Sequence, residues 1–462
     1  MARIAVIGAG MGAMAAAARL ATAGHDVTVY ERGETYGGAV RRFERDGFRF
    51  DTGPGLLRLP AVYRDLFVKT GREPLERCAE LVRVDPAARH VYADGTAVTL
   101  PGASRGGVTE ALDRAFGAGS GARWSALLNR ARDTWEATRR PLLEEPLVPG
   151  DGVPQRDPYP AVRRRGLLRR RPPTLAEAAA SELPDPRLAA LLESHAWAYG
   201  LDPARAPAGA AVLAYLEDAF GVWYVRGGMR ELARAVYERC RARGVEFRFG
   251  TEVRVRAHDG RVTGVECADG TAAAAGAVVS GAPPAARGTE TAGAAARFTV
   301  LLALRGARPA GTPHRTVVHG GARPVTVLRP DDPELCPGAG YQTAVLSTVV
   351  PGPVATPGEL ADTLTAAADR ACPGLAAQVL WRVLRTPEDA AAETGAPDGL
   401  VPPPALAGAG GGLLRGPNRA GPEGLYRVGG WAHPGGGLAH AGMSGALAAG
   451  LLVEGDDWRG SR

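Results

Sequence analysis

An α/β fold of Rossmann-like type, with a second α+β region interleaved through it, is what this 462-residue sequence predicts. Three observations carry that prediction. A short apolar strand, Ile4-Ala-Val-Ile7, is broken by Gly8 and Gly10 and leads into a helical run from Met14 to Leu20. A second strand, Val27-Thr-Val-Tyr30, ends on an acid, Glu31. Near the C-terminus a strand, a glycine cluster and a helix recur across 424–452. Apolar runs punctuated in this way mark buried parallel strands followed by helices.

The first junction has the chemistry of a dinucleotide site. Gly8 permits the tight turn out of the strand, and Gly10 lets the backbone approach a diphosphate closely. Gly12 continues the glycine run, and Ala13 is small enough for the new helix to pack against the strand. The diphosphate then sits over the helix N-terminus, where free N–H groups and the positive dipole end stabilise it. Glu31 stands about 20 residues on, the distance at which an acid reaches a ribose hydroxyl, and Arg32 follows it. The apolar stretch also resembles a signal peptide, but only Arg3 precedes it and the strand–helix–strand register continues, so it is expected to belong to the fold. No other uncharged stretch reaches the ~18 residues of a membrane span, and a cytoplasmic location is expected.

Composition narrows the chemistry. The formal charge is +6, yet Lys69 is the only lysine, and no aromatic–basic interleaving or zinc-finger spacing accompanies the arginines, so nucleic acid is not an expected partner. A Schiff-base mechanism would rest on Lys69 alone. Cys78, Cys240, Cys267, Cys336 and Cys372 form no C-x-x-C pair, which excludes a redox dithiol and a cysteine–zinc site and reads as reduced thiols. No metal-ligand spacing is present.

Past Glu31 come Gly37-Gly38, Arg41-Arg42 and the turn Asp51-Thr-Gly53-Pro54. A second close backbone approach beside a cation suits a longer cofactor, FAD, running across the sheet. The segment resembles the N-terminus of FAD-dependent amine-oxidase-type flavoproteins, and within them bacterial phytoene (carotenoid) desaturases, which open GAGxGGLAAAARLAxAGHxVTVxE…GG…GFxFDTGP. The family's third glycine is Ala13 here. The arginine that often follows its glycine pair is Ala39, which leaves Arg41 or Arg42 to serve the phosphate.

Three later segments extend the resemblance. Tyr199–Pro207 with Trp223–Met229 is similar to the family's GxxPxRAPA and WYPxGGM, and Val278-Val-Ser-Gly-Ala-Pro283 to VVSNADP. The resemblance implies that the backbone near Val253 holds the adenine. Gly424–Gly437, containing Gly429, Gly430, His433, Pro434, Gly435, Gly436 and Gly437, is similar to GLYxVGxxxHPGGG. This second strand–glycine–helix junction aims a helix N-terminus at the ligand, beside the flavin edge where negative charge collects on reduction. His433, just before the glycines, is the candidate catalytic residue, in competition with a loop-fixing role. Trp431 reads as a wall, Arg58 as a solvated arginine, and His25, His90 and His258 as surface residues. The cluster Gly408–Gly412 lacks a leading strand and reads as a linker, so no separate NAD(P) domain is expected.

The expected organisation is an FAD-binding domain of the amine-oxidase/glutathione-reductase type over 1–75, 220–295 and 418–462, with a substrate domain over 76–219 and 296–417. Strands at Phe298–Leu304, Thr316–His319, Val325–Leu328 and Gln342–Val350 predict an antiparallel sheet, roofed by helices near Leu188–Ala198, Pro207–Ala219 and Leu360–Ala371. The expected function is FAD-dependent desaturation of an apolar, isoprenoid or polyene substrate by hydride transfer to flavin N5. An amine or porphyrinogen oxidase, a flavin-dependent isomerase and a non-catalytic prenyl-binding protein, as in the Rab GDP-dissociation inhibitors, are the alternatives. Aromatic residues at 6% weigh against the paired aromatics with which amine oxidases commonly frame their substrate. The run 163–171, six arginines around Leu167 and Leu168, is a candidate peripheral contact with the inner face of a membrane.

Overall fold

A computed structural model describes residues 1–102, 104–148, 157–160, 172–291, 293–407, 414–419, 421–455 and 457–460. The arginine-rich run 163–171 and the Gly408–Gly412 cluster lie outside the described residues.

The first strand, Arg3–Ile7, forms the middle of a five-stranded parallel sheet, flanked by Asp26–Tyr30 and then Glu246–Arg248 on one side. Ala277–Ser280 and then Leu425–Arg427 complete the other side. Segments far apart in sequence thus share one sheet, whose carboxyl ends all face the same way. Ligands of such sheets bind outside those carboxyl ends.

The first helix, Met11–Thr22, starts earlier than the apolar pattern suggested because Gly10 already caps it. Its alanine run is buried on every side, with Ala15, Ala16, Ala17 and Ala18 at 0–1% exposure. Alanine combines high helix propensity with a side chain small enough to admit neighbours closely. The neighbour is the last helix, Leu438–Glu454: a Cβ placed on Gly445 would lie 2.3 Å from the Gly12 carbonyl oxygen. Gly12 therefore serves this helix–helix contact, while the Ala13 methyl faces Gly281 at the end of the neighbouring strand.

A seven-stranded sheet forms the second layer. Its order is Val379–Arg385, Ala296–Arg305, Tyr341–Val350, Val325–Leu328, Arg315–Val318, Ala88–Val91 and Ala97–Leu100. The four strands expected from alternation are all present. The sheet departs from a purely antiparallel one at Arg315–Val318, which pairs in parallel with Ala88–Val91. Phe298, Val300, Leu302 and Leu346 bury one face against the helix Pro357–Ala371. A third core gathers the helices Ser120–Arg139, Pro186–Trp197 and Val212–Phe220 around Leu112, Leu127, Leu191 and Leu213. None of the described helices is long and apolar enough to cross a membrane.

Candidate functional site

The site is built outward from the first turn. Gly8 takes φ +86° and donates to the Tyr30 carbonyl at 2.7 Å, which bends the chain out of the sheet. Gly10 caps the first helix without a side chain, so the N–H groups of the first turn are left for a ligand. A Cβ on Gly10 would meet no heavy atom within 4 Å. Gly37 closes one wall, donating to the Ala9 carbonyl at 2.7 Å, and a Cβ on Gly38 would come within 3.0 Å of the Gly10 Cα. Gly53 packs beneath, against the Ala39 carbonyl, with Pro54 exposed beside it.

Glu31 is buried at the rim, and its two oxygens accept the N–H groups of Ala9 and Gly33, both at 2.7 Å. It thus fixes the glycine turn as well as facing it. Arg32 and Arg41 lie close by, but their guanidiniums reach the Ala392 and Glu393 carbonyls at 3.2 and 3.0 Å. Those carbonyls end the helix Pro387–Thr394, a favourable place for cations. Arg41 also donates to the Gly38 carbonyl at 2.9 Å. Arg42 turns away to Glu231 and the Gly227 carbonyl. Val253 has its side chain in the core beneath the Val253–His258 strand, with Tyr30 and Val265.

The C-terminal junction divides into two parts. Gly429, at φ +87°, opens onto empty space, and its N–H is held by the Ser444 hydroxyl at 3.1 Å. Gly430, Gly435 and Gly436 instead receive a proline strap, 402–405: a Cβ on Gly436 would lie 1.6 Å from the Pro402 oxygen. The Pro434 carbonyl accepts from Ala405 at 2.8 Å, and the Gly436 N–H donates to Pro403 at 2.9 Å. Gly437, at φ +106°, faces the Tyr199 ring and His440. His433 is fully buried, with Nε2 3.0 Å from the Glu145 carbonyl oxygen. Burial lowers its pKa to about 4, so it is neutral near pH 7. Its Nδ1 lacks a hydrogen bond among the described residues. Trp431 lines a cleft formed by 280–285 and 427–432, at the carboxyl ends of two sheet strands.

Two histidine and arginine expectations are corrected. Arg58 is not solvated: its Nε meets Glu217 at 3.1 Å and its guanidinium lies 5.2 Å from the Tyr199 ring centroid. Arg315 grips the same carboxylate in a fork, and His195 Nε2 stands 3.9 Å from it. Burial alone would favour the neutral acid, but Arg315 and Arg58 outweigh it and hold the Glu217 carboxyl well below the usual range. His90 is likewise no surface residue; its Nδ1 lies 3.0 Å from His319 Nε2 inside the fold.

Beside His440, one turn beyond Gly437, opens a second, narrow cleft with a cavity volume of about 30 Å³. Its walls are Trp135, Leu142, Leu143, Val212, Leu213 and Leu216, closed by Leu406, just past the strap, and by His440. His440 was not among the sequence candidates. The signal for it was its place in the first turn of the helix that the glycine junction introduces.

A model of the family of flavin containing amine oxidoreductases matches residues 14–300, more than half of the chain. The chain belongs to that family. Its cofactor is FAD. A hydroxyneurosporene desaturase of Rhodobacter capsulatus is 32% identical over 70% of this chain and 64% of its own length. A phytoene dehydrogenase of Streptomyces griseus is 34% identical over 57% of this chain and 50% of its own. The chain thus spans about half to two-thirds of the length of these curated relatives. A crystal structure of an oxidoreductase from Methanosarcina mazei shares the fold, with a TM-score of 0.68 at 18% identity, covering 96% of this chain and 99% of that one.

Proposed function

We propose that the chain is an FAD-dependent dehydrogenase that desaturates an apolar isoprenoid or polyene. The observation that carries this reading is the apolar cleft that reaches the first turn of the last helix at His440. The open, side-chain-free space at Gly10 and Gly429 fits a dinucleotide: a Cβ at either position would project into it. In this reading Gly8, Gly10, Gly37 and Gly38 receive the diphosphate, with Arg41 steadying the turn around them. Glu31 keeps acceptor capacity for a ribose hydroxyl beyond its two backbone bonds. The backbone at Val253 borders the adenine, and Gly429 and Gly437 border the flavin. When bound, FAD supplies a hydride acceptor at flavin N5.

The chain's own residues supply orientation and dryness. The N-terminal end of Leu438–Glu454 presents N–H groups and a positive dipole end where charge develops. Trp135 and the leucines exclude water from the substrate, and the Glu217 cluster fixes Arg58 over the Tyr199 ring that faces Gly437. His433 and His440 are buried neutral imidazoles, so neither sets a charge against a hydrocarbon. The names of the desaturase and dehydrogenase relatives support the substrate class. Contact of 163–171 with an anionic membrane belongs to the same proposal, because such a substrate resides in a bilayer.

Comparing lipid extracts from a host with and without the gene tests the reading. Polyenes differing by units of two hydrogens are expected. Unchanged polyenes beside a new aldehyde from an amine would overturn it.

A further inference from the structure

The last helix carries a histidine that the fold does not use. His440 is only 7% exposed, and its ring lines the apolar cleft beside Leu213, Leu216 and Leu406. Among the described residues no hydrogen bond reaches its ring. The hydroxyl and carboxyl side chains of the cleft are engaged. The Thr134 and Thr138 hydroxyls donate to carbonyls of their own helix at 3.0 and 2.7 Å. Asp157 accepts from the Tyr159 and Gly209 N–H groups at 2.9 and 2.7 Å, and Arg139, at the mouth, pairs with Glu144 at 3.4 Å.

Buried polar groups are almost always hydrogen-bonded, and leaving one unmatched is costly. Burial, reinforced by His433 nearby, keeps the His440 imidazole neutral at pH 7. A neutral ring offers one donor and one acceptor, so it can bond either a carbonyl or a hydroxyl. A carboxylate is a poor match, since no cation in the cleft is left to compensate a buried charge.

Resting on the reading of this cleft as the substrate site, we propose that His440 hydrogen-bonds a single neutral oxygen on the substrate. The preferred ligand is then a hydroxyl- or carbonyl-bearing polyene or isoprenoid chain rather than the bare hydrocarbon. The apolar walls take the chain, and His440 reads its one polar group.

The test uses the FAD-loaded protein and two probes, geranylgeraniol and the hydrocarbon of the same skeleton without the hydroxyl. Binding is read from quenching of tryptophan fluorescence, with Trp135 in the cleft wall as the reporter. Wild type is expected to bind the alcohol about fivefold to tenfold more tightly. His440→Leu should bind both probes equally, and His440→Gln should retain part of the preference; thermal melts establish that both variants are folded. A wild type without preference, or a preference that survives in His440→Leu, would overturn the role of His440 alone. Failure of both probes to bind wild type, or unchanged binding in a Leu213→Trp variant that fills the cleft, would instead overturn the cleft as the substrate site, and this inference with it.

Discussion

The Glu31 carboxylate accepts the Ala9 and Gly33 N–H groups, so it organises the glycine turn before any ligand arrives. Glu31→Gln replaces one of those acceptor oxygens with an NH2 group that faces a backbone N–H. Loss of one charge-assisted bond is worth roughly 1.5–3 kcal/mol, or about tenfold or more in affinity. Flavin absorbance retained through dialysis is therefore expected to fall by at least that factor, and retention equal to wild type would contradict the assignment. Glu217 makes a different prediction. Its carboxylate pairs with both Arg58 and Arg315, which are drawn into the interior. Glu217→Leu leaves two buried cations unpaired and should cost about 3–5 kcal/mol in urea unfolding. A loss under 1 kcal/mol would show that solvent reaches the cluster, by the weakness of exposed pairs.

The glycine of the first helix junction and a glycine inside the last helix do different work. Gly10 borders open space, whereas Gly445 presses on the Gly12 carbonyl and Ala15. Gly10→Val is thus expected to give a folded, colourless protein with a melting temperature close to that of wild-type apoprotein. Gly445→Val, by forcing the first and last helices apart, should destabilise by ~1–3 kcal/mol or more. Circular dichroism and visible absorbance together separate the two; equal melting losses would contradict the division. The first strand, turn, helix and Glu31 were legible because local spacing dictates them. The strap 402–405 was not: three successive prolines carry no periodicity, and only the fold brings them onto Gly435 and Gly436. Asp51 was likewise read as part of a turn. Its carboxylate caps the helix Met229–Ala242, accepting the Met229 N–H at 2.7 Å across 178 residues. Arg58 looked solvated because its partner lies 159 residues away. Pairings at such separations leave no periodic trace.

Taken together, the histidines drawn wholly or partly into the interior make the fold acid-sensitive. Burial lowers the pKa of His314, His319, His433 and His440 to about 4. The unfolded chain takes up protons at these histidines as pH falls below about 6.5, while the folded chain resists until about 4. Stability is therefore full above about 6.5 and is lost as pH falls through that window, by about 1.4 kcal/mol per pH unit for each histidine. Asp51 acts in the opposite sense. Burial raises its pKa to about 6, so the folded state holds a proton there that the unfolded state releases. Burial raises Asp157 and Glu193 in the same sense, but it also lowers His25, His90 and His195, so the histidines outnumber the opposing acids. Urea midpoints should fall steadily from pH 7 to pH 5, and a flat profile would contradict the burial of these rings.

The five-stranded parallel sheet gathers strands from both ends of the chain, and the apolar cleft opens where its last helix starts. The account stands or falls on whether that arrangement removes hydrogen from a polyene. The direct measurement is anaerobic mixing of the FAD-loaded protein with detergent-dispersed phytoene and hydroxylated polyenes, with putrescine as the amine control. Bleaching of flavin absorbance with a polyene, matched by a product two hydrogens lighter in equal amount, is the predicted result. Bleaching by putrescine alone, with every polyene returned unchanged, would contradict it.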